Sequence, residues 1–429
     1  MNKHSQTSTL LCIIVGFFLV LITNQWPTES ESIYKLYNYD GLSYLQIAKS
    51  SPHLPGPLAL DGKPIPFHHA QRALIPYSIG LLSHGLGLDE YFVFQMFNIF
   101  IMFLILYVFL LILNKIGLTH SKVLFCFSLL LFNPYFFRYF ITYPLMTNDL
   151  VFLLGFIIAL MGCIKKSYIP IFGGLILATI ARQTGLFLFP PVAFFIFSKT
   201  EIKKKLIFLS SILFCQLLIY KLGALIALEF SGKPIIANHA FWGVYWIIDF
   251  INGNPNLFNT LVYPALKESF VGFSPMTSGP TFNELIDFLL RLIVPLFLGF
   301  LLCIFWHKNL KKVEKKTLIT LIFFGFFMML TPLLMGPHVA SMGASRYATQ
   351  SLPAVLVLIA FLIKNDAQLE KINNSITVFI FLTFLASFHH LFSFIKQDIQ
   401  MAKYFVTSMV AINLFSVYIL YKSKQQLTL

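Results

Sequence analysis

Charged side chains are scarce in this chain. Asp, Glu, Lys and Arg together make up 11% of its 429 residues, against 57% hydrophobic residues. The mean hydropathy is +0.78. A water-soluble domain is excluded, because too few polar side chains remain to cover its surface. The composition predicts an all-α membrane protein with one polytopic domain over residues 1–429, in which apolar runs of roughly 20 residues cross the bilayer.

The sequence also lacks metal-binding motifs, a disulfide framework and internal repeats. All five cysteines fall inside apolar runs, and none are paired at the spacing of metal ligands. The lack of a repeat disfavours an inverted-repeat transporter. His68, His69 and His338 are candidate metal ligands, but no spacing supports a site, so we expect them to form hydrogen bonds. No cofactor is therefore expected, although a divalent cation stays open as an alternative.

The net charge of +14 does not indicate a nucleic-acid partner. The lysines lie in short clusters between apolar runs, which is typical of the cytoplasmic loops of membrane proteins. The partners that this pattern predicts are membrane lipids.

About twelve apolar runs are predicted to cross the membrane. They centre on residues 9–24, 91–113, 121–137, 149–164, 168–181, 185–198, 206–229, 288–306, 317–336, 350–363, 373–395 and 403–421. The first is expected to be an uncleaved span. One long tilted helix is the alternative to the short pair 168–181 and 185–198, but it would place the lysines of 199–205 outside. The segment 73–88 is predicted to be an interfacial or re-entrant helix.

This scheme separates the two kinds of basic residue. It places both termini and 18 lysines on the cytoplasmic side, and all five arginines on the outer side. The arginines are Arg72, Arg138, Arg182, Arg291 and Arg346. Lysine satisfies the positive-inside rule, whereas the planar guanidinium of arginine suits phosphate or carboxylate. We therefore expect outer arginines to bind an anion, with Arg138 and Arg291 as weaker candidates that anchor the interface.

Three outer segments are long enough to bind a substrate. They cover residues 25–90, 231–287 and 337–349. Loops of this length are uncommon unless they bind something or act as lids. The first carries a candidate catalytic aspartate, and the second is a candidate lid or acceptor site.

Two outer aspartates are candidates for acid–base chemistry. Asp40 is surrounded by tyrosines and is followed in the same loop by His68, His69 and Arg72. Asp-Gly is also a common turn dipeptide, so Asp40 could simply cap a helix. Asp149 lies at the outer start of a span, where Thr, Asn and Asp are good N-cap residues, and where a carboxylate at membrane depth is also a functional candidate.

Arg182 and Arg346 are the arginines that most favour a binding role. Arg182 lies in an Arg-Gln-Thr-Gly break between two short helices, which is more polar than a tight turn requires. Arg346 precedes a late span. Both could instead be arginines whose head groups reach the interface from a helix end.

The chain resembles the GT-C class of integral-membrane glycosyltransferases, most of all its mannosyltransferase-like branch and bacterial relatives. The stretches that carry the resemblance are Tyr39–Ala48, Phe132–Pro144, Gly173–Gly185 and Ser345–Tyr347. It covers the order of features over roughly residues 1–200. The chain departs from that branch in having Tyr39 before Asp40 where Trp is usual, and in lacking a glutamate directly after Tyr143.

The resemblance implies an inverting transfer of a sugar, mannose or another hexose, from a polyprenyl-phosphate donor. The acceptor would be a lipid, glycan or protein on the non-cytoplasmic face of the membrane. The economy of the loops favours a bacterial inner membrane, with the endoplasmic reticulum as the alternative. Asp40 would be the base, and Asp149 is the second catalytic candidate. The candidate substrate- and phosphate-binding residues are Arg72, Arg182, Arg346, His68, His69, Tyr44 and His338. One base suffices, because a phosphate leaving group needs no proton.

Two alternatives remain from the sequence. Twelve spans with basic residues facing lipid phosphates would also suit a lipid-linked sugar flippase or transporter. Transporters place polar groups and broken helices near the bilayer midplane, whereas the acids and arginines here gather at outer helix ends. An oligosaccharide polymerase or ligase with a diphosphate-linked donor is compatible with the long 231–287 segment.

Overall fold

The computed structural model describes residues 3–24, 40–60, 62, 64–197, 201–231, 242–263, 281–340, 344–388 and 399–427. The side chains of Asp40 and of residues 335–340 lie outside the described set. Within these ranges the chain is all-α, as the composition predicts, and a single isolated bridge between Leu58 and Pro64 is the nearest approach to a strand.

Ten helices lie in the described part of the N-terminal half. They are α1 (Lys3–Ile22), α2 (Asp40–Ser50), α3 (Phe67–Ala70), α4 (Leu74–Leu86), α5 (Glu90–Ile116), α6 (His120–Leu131), α7 (Phe137–Thr142), α8 (Thr147–Lys165), α9 (Tyr168–Ala181) and α10 (Phe189–Ile196). Short 3-10 turns at Pro144–Met146 and Gln183–Leu188 precede α8 and α10.

Ten more helices follow in the described part of the C-terminal half. They are α11 (Ile202–Phe230), α12 (Trp242–Asn252), α13 (Phe282–Ile293), α14 (Phe297–Phe305), α15 (Lys315–Ala340), α16 (Ala344–Thr349), α17 (Leu352–Lys364), α18 (Ala367–Lys371), α19 (Asn373–Ser387) and α20 (Ile399–Gln426). Of the predicted 231–287 segment, the structure describes α12, a π-helical turn at Phe258–Val262 and the first residues of α13.

Seven apolar stretches in the described part of the chain are long enough to cross a membrane, so the chain is a multi-pass integral membrane protein. They are Glu90–Ile116, Pro144–Lys165, Ile202–Phe230, Phe282–Phe305, Lys315–Leu334, Ser345–Lys364 and Val406–Gln426. All seven overlap predicted spans. Six shorter apolar helices include Leu74–Leu86, which covers the segment predicted to be interfacial or re-entrant.

Helices α8 and α9 form a tight antiparallel hairpin at the centre of the bundle. The span that contains α8 is 83% buried, because neighbouring helices surround it. Gly155 and Gly174 allow the close approach: a Cβ on Gly174 would lie 2.5 Å from the backbone N of Ala159. The hairpin brings the end of α9 back to the start of α8.

The chain breaks after α9, as predicted for the pair of short helices. Arg182 has an extended backbone with φ −152° and ψ 142°, and the chain then turns back into α10. Phe195 near the end of α10 lines the same cavity as Lys166 at the end of α8. One long helix through residue 182 is therefore excluded.

The lysine-rich helix ends lie together at the opposite end of the bundle. Lys115, Lys166 and Lys364, which end α5, α8 and α17, line one cavity. Nearby, Asp366 accepts hydrogen bonds of 2.6 Å from both Lys424 and Trp306, and so ties α20 to the loop after α17. Burial raises the pKa of Asp366, but these two hydrogen bonds, the charge of Lys424 and a backbone hydrogen bond from Leu369 together hold the pKa below its ordinary value.

Replacing Gly174 by Ala should destabilise the protein, whereas the same change at Gly173 should not. The added methyl at 174 would overlap the α8 backbone, and overpacking of this kind costs about 1–3 kcal/mol. A Cβ at Gly173 meets nothing within 4 Å, so Gly173→Ala should be neutral or stabilising through helix propensity. Thermal unfolding in detergent measures both, and equal melting temperatures would contradict the close packing.

Candidate active site

A buried ion-pair cluster lies at the start of α8. Asp149 is only 3% exposed. Its Oδ1 pairs with Nη1 of Arg182, and its Oδ2 lies 3.2 Å from Nε of Arg346. The N-cap of α8 is Met146, which makes no capping bond through its side chain. The carboxylate of Asp149 therefore holds two arginines and does not cap its helix.

Arg182 is positioned by the turn that ends α9. Gly185 donates a backbone hydrogen bond of 2.9 Å to the carbonyl of Arg182. A Cβ on Gly185 would lie 2.5 Å from the backbone N of Thr179, so only glycine fits this turn. Gln216 of α11 donates to the Gly185 carbonyl at 3.1 Å and to Thr179 Oγ1 at 2.8 Å. These contacts keep the turn, and hence the guanidinium, beside Asp149.

The ring of Tyr347 lies against the guanidinium groups of both Arg182 and Arg346. The guanidinium carbons of Arg182 and Arg346 are 5.0 and 4.9 Å from its ring centroid. Arg346 also donates to the Tyr347 hydroxyl at 3.1 Å. An aromatic face is a favourable environment for a desolvated cation, so Tyr347 helps to keep two positive charges in a buried place.

Arg72 joins the same cluster from the short connection between α3 and α4. Its Nε donates to Oε1 of Gln183 at 2.7 Å, and its Nη1 donates to the Tyr44 hydroxyl at 3.3 Å. Asn148, directly before Asp149, donates to the Arg72 carbonyl at 3.3 Å. Gln183 directly follows Arg182. The residues beside the ion pair thus hold Arg72 next to it.

Among the side chains that the structure describes, the cluster carries an excess of positive charge. Asp149 pairs with Arg182 and Arg346, Arg72 lies beside them, and no other carboxylate with a described side chain pairs with these arginines. Burial lowers the pKa of the Arg182 guanidinium, and the charges of Arg72 and Arg346 lower it further. Arginine nevertheless stays protonated in proteins. Such a site favours an anion with several oxygens, because guanidinium groups bind phosphate and carboxylate through paired hydrogen bonds.

Several buried polar atoms around the arginines have no hydrogen-bond partner. Gln350, one helical turn after Arg346, is 1% exposed. Both of its amide atoms are unpaired, as are Asn148 Oδ1, Thr184 Oγ1 and Arg182 Nε. An unpaired buried polar atom costs about 1–3 kcal/mol. Uncharged donors and acceptors beside a cationic cluster suit a ligand that carries hydroxyl groups as well as an anion.

The two histidines of the first outer loop pack within the protein. His69 is fully buried, and its Nδ1 lies 3.2 Å from Ser43 Oγ. Its ring centroid is 5.5 Å from that of Tyr44 and 4.2 Å from that of His68. No group of three or more possible metal ligands occurs in the described ranges.

Two of the predicted site residues have side chains outside the described set. Asp40 is the first residue of α2, one turn before Tyr44, which contacts Arg72. His338 belongs to α15. The roles of both residues stay predictions.

The prediction that Arg138 anchors the membrane interface is wrong. Its side chain is fully buried. It donates hydrogen bonds of 3.0 Å to Ser387 Oγ and Thr23 Oγ1, and it lies 4.6 Å from the Phe388 ring centroid. Arg138 therefore ties the end of α1 to the end of α19. Arg291, by contrast, is exposed and pairs with Asp287 one turn away on α13.

Reasoning from the sequence did not single out Gln183, Tyr347 or Gln350. Gln183 and Tyr347 directly follow Arg182 and Arg346. Their position next to a candidate arginine is the feature of the sequence that could have identified them. Gln350 lies at the start of an apolar span, where a buried amide is costly. A glutamine in such a position could therefore have been identified as a candidate functional residue.

Asp149→Asn should destabilise the protein more than Arg182→Gln. Loss of the carboxylate leaves two buried arginines without their counter-ion, and breaking a buried ion pair in this way costs about 3–5 kcal/mol. Loss of Arg182 leaves Asp149 paired with Arg346, so the cost is smaller. Melting temperatures of both variants and of the double variant measure the difference. A more stable Asp149→Asn than Arg182→Gln would contradict the excess of positive charge.

The comparisons with known proteins add no family and no relative. No family model, no curated protein and no solved structure matches the chain. Its function is therefore inferred from its own residues.

Proposed function

We propose that this chain is an inverting glycosyltransferase that moves a sugar from a polyprenyl-phosphate donor to a lipid, glycan or protein acceptor. The observation that carries the proposal is the cluster in which Asp149 pairs with Arg182 and Arg346 and Arg72 is held beside them by Gln183. The order of motifs that resembles the GT-C class supports it. The donor sugar would be mannose or another hexose.

The arginines would bind the phosphate that leaves. In an inverting transfer the acceptor oxygen forms a bond to the anomeric carbon while the bond from that carbon to the phosphate oxygen breaks. The electron pair of the broken bond goes to the lipid phosphate, and the acceptor proton goes to a base. Preorganised cations stabilise the charge that develops on the phosphate, which is usually a large contribution to catalysis.

Asp149 suits a positioning role better than the role of base. Both of its oxygens are already engaged by Arg182 and Arg346. A base must instead reach the acceptor hydroxyl. We assign the base to Asp40, one turn before Tyr44 on α2, and we assign Asp149 the role of holding the arginines in place until the phosphate binds.

The unpaired polar atoms beside the arginines would contact the sugar. Gln350, Asn148 and Thr184 offer uncharged donors and acceptors in a buried place. Sugar hydroxyls are both donors and acceptors, so they could pair with these atoms. This accounts for polar side chains that the protein itself leaves unsatisfied.

The membrane arrangement of the proposal is the twelve-span scheme. Seven spans are the long apolar stretches, and five shorter apolar helices would supply the rest. The positive-inside rule places the lysine-rich end in the cytoplasm. The arginine cluster at the opposite end would face the non-cytoplasmic side, the periplasm if the membrane is a bacterial inner membrane.

Purified protein in nanodiscs should transfer label from polyprenyl-phosphate sugars, and Asp40→Asn should abolish transfer without changing the melting temperature.

Arg182→Lys should lower kcat/KM by roughly 100-fold, because lysine cannot form the paired hydrogen bonds of a guanidinium to phosphate. Arg291→Lys is the matched control, since Arg291 is exposed and pairs with Asp287 on α13.

The same assay separates the alternatives. Unchanged transfer by Asp40→Asn would overturn the assignment of the base. Movement of the labelled lipid between leaflets without any transfer would favour a flippase, and activity only with diphosphate-linked donors would favour a polymerase or ligase.

Gln350→Met should lower activity and raise stability together. Methionine matches the shape of glutamine but removes two unpaired buried polar atoms, so the melting temperature should rise. Loss of contacts to the sugar should lower kcat/KM by about tenfold, the value of one good hydrogen bond. If kcat/KM is unchanged, Gln350 does not contact the sugar.

A further inference from the structure

A cavity lies at the lysine-rich end of the bundle, far along α8 from Asp149. Its volume is about 190 Å³, the space of several water molecules at ~30 Å³ each. It lies where the ends of α5, α8, α10 and α17 meet the start of α15. The proposed sugar transfer does not use this cavity.

The cavity has an apolar floor and a charged rim. Leu160, Leu321 and Phe324 form part of the floor, and each is at most 5% exposed. Lys115, Lys166, Lys364 and Glu314 form the rim and are exposed. The lysines come from three helices that are distant in sequence, so the fold gathers them at one opening.

The rim has a net positive charge. Three lysines and one glutamate sum to +2. The carboxyl ends of α5, α8, α10 and α17 contribute about −0.5 each and the start of α15 about +0.5, so the helix dipoles offset roughly three quarters of that charge. The full charges on the lysines still prevail, and the opening attracts anions.

We propose that this cavity binds the head group of an anionic phospholipid from the cytoplasmic leaflet. The phosphate would lie among the three lysines, and the first carbons of the lipid would lie on the apolar floor. Basic pockets between membrane helices on the cytoplasmic side are suited to such head groups. A soluble phosphate compound would gain nothing from the floor, which is why the structure favours a lipid.

The lipid would act on the same helices that carry the arginine cluster. Asp149 begins α8, which ends at the cavity, and Arg346 precedes α17, which ends there at Lys364. Bound lipid would therefore stabilise the helices that position the active site. The inference does not depend on the proposed transfer.

The test compares two triple variants of equal charge change. The cavity variant is Lys115→Gln, Lys166→Gln and Lys364→Gln, and the control is Lys203→Gln, Lys204→Gln and Lys205→Gln on α11. Native mass spectrometry and thermal shift in detergent measure the preference for phosphatidylglycerol over phosphatidylcholine. Each lysine near a membrane surface contributes measurably, so the cavity variant should lose the preference by roughly 100-fold, while the control keeps it.

A second variant tests the cavity apart from its charge. Thr317→Trp should fill the cavity, whose lining includes Thr317, and should lose the preference with every lysine retained. Equal loss in both triple variants, no preference in the unmodified protein, or full binding in Thr317→Trp would each overturn the proposal. Protection by inorganic phosphate equal to that by phosphatidylglycerol would show a phosphate site that does not select lipid.

Discussion

The ion pairs of one buried carboxylate hold the site together. Asp149 forms ion pairs with Arg182 and Arg346 at a site that is almost inaccessible to water, and Arg72 lies beside them. Burying a charge costs several kcal/mol unless it is paired, so three arginines around one carboxylate are stable only where neighbouring groups share the cost. Tyr347, Tyr44 and Gln183 supply those contacts. The excess charge is what makes an anion the fitting ligand.

The sequence was sufficient for the class of fold and for most members of the cluster. Low charge and long apolar runs predict the spans, and the alternation of spans places Asp149, Arg182 and Arg346 at one end, as the structure does. The contacts between them could not be predicted, because they join residues far apart in the chain, such as Arg72 and Gln183. Arg138 shows the converse: its place beside an apolar run suggested the interface, whereas helices from both ends of the chain bury it.

The two ends of the central helices have different chemistry. Arginines gather with one carboxylate at the end where α8 begins, and lysines surround an apolar cavity where α8 ends. The glycine-mediated packing of α8 on α9 links the two, since it fixes where α9 ends and hence where Arg182 lies. Buried arginines suit paired hydrogen bonds to a substrate, whereas exposed lysines suit a mobile lipid surface.

The most direct test of the central claim is an experimental structure of the protein in nanodiscs with a polyprenyl phosphate bound. We expect the lipid phosphate to lie within hydrogen-bond distance of at least two of Arg72, Arg182 and Arg346, with Asp149 released from one of its partners. A lipid phosphate bound elsewhere, with both ion pairs of Asp149 intact, would contradict it.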